Sequence, residues 1–135
     1  MRISTFSEYR SEFGTSLSLD EFEEILQKIC DAVGDDEDGL ELFQELEEQS
    51  VKYANIRARW HAMSLHEKAE IDGSRTACHN ALIVKVHQIK RYLELNGKDV
   101  SWMDELGDTD VDKGNRKRIG DFGCYIAFIA GIVSR

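Results

Sequence analysis

The chain has 135 residues, a formal net charge of −9, three cysteines and no proline. A chain of this length is typical of a single domain with its own core, and 41% hydrophobic residues exclude an intrinsically disordered protein. Because proline breaks helices, its absence predicts an all-α chain built mostly of long helices.

The first predicted elements are two amphipathic helices. A short N-terminal helix and a linker are predicted for residues 1–17, because aromatic side chains there are three and four residues apart. Those side chains are Phe6, Tyr9 and Phe13. Ser18 and Glu21 have the spacing of a capping box, and the apolar stripe after them predicts a second helix from about Leu19 to Val33.

Two long helices are predicted next. After the acidic turn at 34–39, side chains in steps of four and three predict a third helix from about Leu40 to Met63. This seam consists of Leu42, Leu46, Gln49, Tyr53, Ile56, Trp60 and Met63. A second capping box predicts a fourth helix from Ser64 to Leu95, ended by Asn96-Gly97, and we allow for a kink or break near Asp72-Gly73.

A short segment, Ser101 to Leu106, and an apolar last helix, from about Asn115 to Ala130, complete the chain. The glycines of the last helix permit close approach to its neighbours. The sequence therefore predicts an all-α, single-domain bundle of four main helices plus two short helices. The third and fourth helices are expected to form an antiparallel pair that the last helix closes.

Charge is distributed unevenly along the chain. Residues 1–50 contain 15 acidic and three basic residues, a net charge of −12, whereas residues 51–135 contain 11 acidic and 14 basic residues, a net charge of +3. This polarity predicts either charge complementarity between the helices or an acidic face for a basic partner.

Cysteine use and hydropathy predict the compartment. Cys30, Cys78 and Cys124 are widely spaced on predicted helices and match neither a disulfide framework nor a zinc site, so we expect reduced, buried thiols. The first residues lack the apolar core of a signal peptide, and the longest apolar stretch is too short to span a bilayer. We therefore expect a cytoplasmic protein without a membrane segment.

One set of polar residues has helical spacing beside the apolar runs of the fourth and last helices. The set comprises Asp72, Arg75, His79, Asn80, Arg118 and Asp121. If the two helices pack together, these residues are expected to form one network. If the set is a binding or active site, His79 would act as a general acid or base and Arg75 would bind an anion. If the set is a structural network, it would fix helix register. We favour the structural interpretation because no nucleophile lies beside the set.

Metal sites are weakly indicated. Asp108, Asp110 and Asp112 resemble the first half of an EF-hand calcium loop, but Lys113 and Ile119 stand where that loop has glycine and glutamate. A solvated acidic turn is therefore favoured. The histidine spacings place no pair of metal ligands on one helical face, and we expect no cofactor.

Nucleic-acid chemistry is disfavoured. Small helical ribonucleases of the HEPN type need an arginine followed by a histidine after four to six residues, whereas three residues separate Arg75 from His79 and Arg57 from His61. An isoelectric point near 4.9 also opposes direct nucleic-acid binding. The acidic half could instead mimic a nucleic acid and occupy a basic groove.

The run from Asp72 to Ile83, together with the run from Arg118 to Phe122, resembles a small all-helical bacterial family whose function is not known. The resemblance implies a bacterial cytoplasmic helical domain and no particular activity. We expect a non-catalytic protein-interaction or regulatory module, with a protein partner or self-association as a homodimer through the seam and the aromatic first helix. The alternatives are a small-ligand binder or enzyme that uses the polar set, and an acidic nucleic-acid mimic or inhibitor.

Overall fold

The computed structural model describes residues 17–60, 63–106 and 114–128, in which five helices and no strands are present. The helices are α1 (Leu19–Val33), α2 (Glu37–Trp60), α3 (Leu65–Leu95), α4 (Trp102–Glu105) and α5 (Gly114–Ala127). This architecture confirms the predicted all-α fold with its four main helices and one of the two short ones. The short helix predicted at Phe6 to Phe13 lies outside the described residues.

Helices α2 and α3 form an antiparallel hairpin, as expected. The Tyr53 ring stacks on the His79 ring near one end of the pair, and Tyr92 donates a hydrogen bond to Asp36 at the other end. Helix α5 packs against both helices, and α4 packs against α1. The apolar last helix therefore closes the hairpin.

All five helices contribute to one hydrophobic core. Its aromatic centre lies between α1 and α5, where the Phe22 ring stacks on Tyr125 at 4.7 Å and lies 5.2 Å from the Phe122 ring. The buried Tyr125 hydroxyl donates to the Leu17 carbonyl at 2.5 Å, which satisfies its polar group. Burial of these rings supplies a large part of the apolar driving force for folding.

The bounds of α2 differ from the predicted Leu40 to Met63. The helix begins at Glu37, because the Asp36 carboxylate accepts a hydrogen bond from the Gly39 N–H at 2.9 Å and thereby caps the first turn. Acidic residues in that turn also interact favourably with the helix dipole. The turn predicted at 34–39 is therefore partly helical, and α2 ends at Trp60.

The predicted seam of α2 is buried at Leu46 and Tyr53 and partly buried at its other α2 members, Leu42, Gln49, Ile56 and Trp60. Ser50 is the fully buried polar residue of this face. Its hydroxyl donates to the Leu46 carbonyl at 2.7 Å, so a polar side chain is satisfied within its own helix and can face the core. The seam thus packs inside the bundle.

Helix α3 is continuous through Asp72-Gly73, so the kink or break allowed there is absent. It ends as predicted, with Gly97 at φ +73° in the left-handed region. The cysteine prediction is correct for Cys124, which is buried, but wrong for Cys30, which is exposed on α1. Among the helices of the described ranges, none combines the length and apolar character that a membrane crossing requires.

Two glycine-to-alanine substitutions should change stability in opposite directions. Nothing lies within 4 Å of a Cβ built on Gly73, so Gly73→Ala should raise the free energy of unfolding by about 0.5–1 kcal/mol through helix propensity. A Cβ on Gly123 would lie 2.5 Å from Leu82 Cδ2, so Gly123→Ala should lower the free energy of unfolding by about 1–3 kcal/mol. Urea unfolding of both variants measures the two changes in the free energy of unfolding. Changes of the same sign would contradict the packing described for α5.

Candidate functional site

Helices α2, α3 and α5 meet at a polar cluster formed by Tyr53, Arg57, His79, Asp121 and Cys124. The Tyr53 and His79 rings stack with their centroids 5.0 Å apart and their planes 22° apart. A Cβ on Gly120 would lie 3.0 Å from His79 Nε2 and 3.2 Å from the Tyr53 hydroxyl. Glycine at this position therefore allows both rings to approach the backbone of α5.

The centre of the polar cluster is a buried ion pair. Asp121 is fully buried, and its Oδ1 lies 2.5 Å from Arg57 Nη1, whose side chain is 14% exposed. The same Nη1 lies 3.8 Å from the buried Cys124 thiol. Burial raises the pKa of Tyr53, and the positive charge of Arg57 acts in the opposite direction. The pair joins α2 to α5 inside the bundle.

The structure separates the six residues that the sequence grouped together. Asp121 and His79 belong to the polar cluster, and Arg75 is close enough for its charge to act on the pKa of Tyr53. Arg118, by contrast, donates to Glu21 at 3.1 Å and to the Glu105 carbonyl at 2.8 Å, and so joins α5 to α1 and α4.

The two remaining residues lie on the surface of α3. Asn80 is exposed. Asp72 forms a 3.9 Å ion pair with Arg75, which is three residues away on the same helix. The predicted single network is therefore divided between the cluster, the α1–α5 contact and the α3 surface.

The sequence did not indicate the two α2 members of the polar cluster. Tyr53 belongs to the predicted seam and Arg57 follows it by four residues, so an arginine next to aromatic seam positions was a usable signal for a buried partner. The carboxylate and the thiol of the polar cluster are closed to solvent, because Asp121 and Cys124 are each 0% exposed. A carboxylate that cannot contact a substrate does not act as a catalytic acid or base, so the arrangement favours a structural role.

A second feature is the acidic cleft, of about 210 Å³, where α1 and α3 end and α2 begins. Its polar lining comprises Asp31, Asp35, Asp36, Tyr92, Asn96 and Lys98. Neither α1 nor α3 has a basic residue in its last turn, so the negative ends of both helix dipoles add to the aspartate charges. A hydrogen bond from Tyr92 and another from the Gly39 N–H lower the pKa of Asp36.

Part of the acidic half is neutralised inside the molecule. Glu21 pairs with Arg118 and Glu45 pairs with Lys85 at 3.1 Å each, so charge complementarity between helices is present. Other exposed acids of α1, α2 and their connection have no ion pair within the part of the chain that the structure describes. These acids are Asp20, Glu23, Asp31, Asp35, Asp36, Glu37, Asp38, Glu41 and Glu48. An acidic face therefore remains after the internal pairs are formed.

The weak calcium candidate, Asp108, Asp110 and Asp112, lies outside the described residues. Within residues 17–60, 63–106 and 114–128, no group of three histidine, cysteine or carboxylate side chains is arranged to hold a metal ion.

Comparison of the chain with family models, with curated protein sequences and with solved structures yields no match. The geometry of the described residues therefore carries the functional argument.

Breaking the buried ion pair should strongly destabilise the fold. Asp121→Asn removes the buried carboxylate that pairs with the Arg57 guanidinium, and we expect a loss of about 3 kcal/mol or more in the free energy of unfolding. The matched control is Glu45→Gln, which removes an ion pair with partly exposed members and should cost less than about 1 kcal/mol. Equal losses in chemical denaturation would contradict a structural role for Asp121.

Tyr92, in the acidic cleft, should titrate at unusually high pH. The hydrogen bond that the Tyr92 hydroxyl donates to Asp36 raises the pKa of Tyr92 from 10.0 to about 12. Because the folded pKa is the higher one, the stabilisation is complete below about pH 10 and is lost as the pH rises through 12. Tyrosinate absorbance should include a late transition that Tyr92→Phe removes and Asp36→Asn shifts down towards 10, beside that of Tyr53, whose pKa burial also raises. A titration unchanged by Asp36→Asn would show that the hydrogen bond is absent.

Proposed function

We propose that this protein is a non-catalytic interaction module that binds a basic segment of a partner protein at the acidic cleft. The observation that supports this proposal is the convergence of Asp31, Asp35 and Asp36 with the C-terminal ends of α1 and α3 around one cavity. Carboxylates and helix C-termini both favour cations. The chemistry of the cleft therefore selects lysine or arginine side chains.

The size of the cleft favours a single side chain. Pockets that enclose drug-sized ligands usually measure about 300–1,000 Å³, and this cleft is about 210 Å³. One lysine or arginine side chain from a partner suits such a volume better than a complete small-molecule substrate. This favours a protein partner over an enzyme substrate.

Exposed apolar side chains adjoin the cleft in sequence. Leu95, next to the lining residue Asn96, is 76% exposed, and Leu40, which follows the first turn of α2, is 48% exposed. Apolar contacts around a charged anchor are typical of the way one partner segment binds another protein. An amphipathic basic segment therefore suits the surface better than a uniformly charged one.

The proposal is tested with arrays of short lysine- and arginine-rich peptides and with anisotropy titration of the best binder. The double variant Asp31→Asn/Asp35→Asn should weaken binding by about tenfold or more, because it removes two charges from the cleft and leaves the Asp36 cap intact. Binding should also weaken steeply as salt is added.

The matched control is Glu23→Gln/Glu48→Gln, which removes two exposed acids that do not line the cleft. This control should change affinity by less than about twofold. Equal weakening in both double variants would place binding on the acidic face as a whole. Affinity that does not change with salt would contradict electrostatic recognition.

A further inference from the structure

A cationic patch surrounds Trp60, at the end of the α2–α3 hairpin opposite the acidic cleft. The Arg75 guanidinium carbon lies 4.4 Å from the centroid of the Trp60 ring, and Lys68 Nζ lies 5.7 Å from the same ring. Both distances fall within the range of cation–π attraction. One aromatic side chain of α2 thus holds two cations of α3, which we name the cationic patch: Trp60, Lys68 and Arg75.

Arg75 has donors that the described part of the protein does not use. Its Nε–H is buried without a hydrogen-bond partner among those residues. Its nearest carboxylate, Asp72 Oδ1, lies 3.9 Å from Nη2, beyond hydrogen-bonding distance, and the Arg75 side chain is 37% exposed. The buried Nε–H is not accessible to a ligand, so an anion would bind to the Nη groups of a guanidinium that the aromatic ring positions.

The cations of the cationic patch have little direct pairing with carboxylates among the described residues. Lys68 forms no ion pair with a carboxylate in the described ranges. Glu70 contacts His66 at 3.0 Å, and Glu67 completes the capping box of α3 with Ser64, so both carboxylates are directed to other groups. Asp72 is the carboxylate that lies within 4.0 Å of a patch cation among the described residues.

We propose that Arg75 and Lys68, held on the Trp60 ring, bind the phosphate group of a small ligand. Guanidinium groups form paired hydrogen bonds with phosphate oxygens, and an ammonium group adds a point charge. A phosphate monoester carries roughly 1.5–2 negative charges at pH 7, which matches two cations better than a single carboxylate does.

This site is independent of the acidic cleft. Arg75 and the cleft residue Leu93 are eighteen residues apart on the continuous helix α3, which corresponds to about 27 Å. Cleft variants that abolish peptide binding should therefore leave phosphate binding unchanged, and the two proposals can fail separately.

The test is isothermal titration of the full chain with inorganic phosphate and with pyrophosphate, against potassium chloride at equal ionic strength. The wild-type protein should show saturable binding above the chloride control, with a change in Trp60 fluorescence. Arg75→Gln should weaken phosphate binding by about tenfold or more. Arg75→Lys should weaken it less, since lysine keeps the positive charge and loses only the paired N–H donors of the guanidinium.

Two further variants keep the proposal falsifiable if Arg75→Gln fails to fold. Asp72→Asn should strengthen phosphate binding by about two- to tenfold, because it removes the opposing charge next to Arg75. Arg91→Gln, which removes an exposed cation farther along the same helix, should leave affinity unchanged. Binding no stronger than the chloride control, or equal weakening by Arg91→Gln and Arg75→Gln, would overturn the proposal.

Discussion

The position of α5 against the α2–α3 hairpin depends on the buried ion pair between Arg57 of α2 and Asp121 of α5. Helix α5 is buried on nearly every side from Ile119 to Phe128, so apolar burial alone gives it little preference for one rotation or register. A displacement by one turn, about 5.4 Å, would separate the two charges inside the protein. Because an unpaired buried charge is costly, the pair excludes such alternatives even if its net contribution to stability is small.

The close approach of α5 supports the same register. Gly120 faces the stacked rings of Tyr53 and His79, and Gly123 faces Leu82. Gly120 and Gly123 both lie within three residues of Asp121 on α5. Each glycine is therefore opposite its neighbouring side chain only when Asp121 is also opposite Arg57. Polar pairing and steric fit therefore select one position together, which neither would define alone.

Local signals were predictable from the sequence, and distant pairings were not. The capping boxes at Ser18 and Ser64 placed the starts of α1 and α3 correctly, because a box is formed by residues three apart. The grouping of Arg118 with Asp121 did not hold, because residues three apart on one helix still face different neighbours. The partner of Asp121 is Arg57, 64 residues away, and no spacing rule connects them.

Aromatic side chains connect α2 and α3 along the whole hairpin, and this determines where charge remains available. At one end Tyr92 of α3 donates a hydrogen bond to Asp36, which caps α2, and at the other end the Trp60 ring of α2 contacts Arg75 of α3. An aromatic partner positions a charged group without cancelling its charge, unlike the ion pair at Asp121. The bundle centre is therefore neutralised and closed, whereas its two ends keep ordered charges of opposite sign. Ordered, uncancelled charge is what recognition of an oppositely charged group requires, because the side chain has already been immobilised before the ligand arrives.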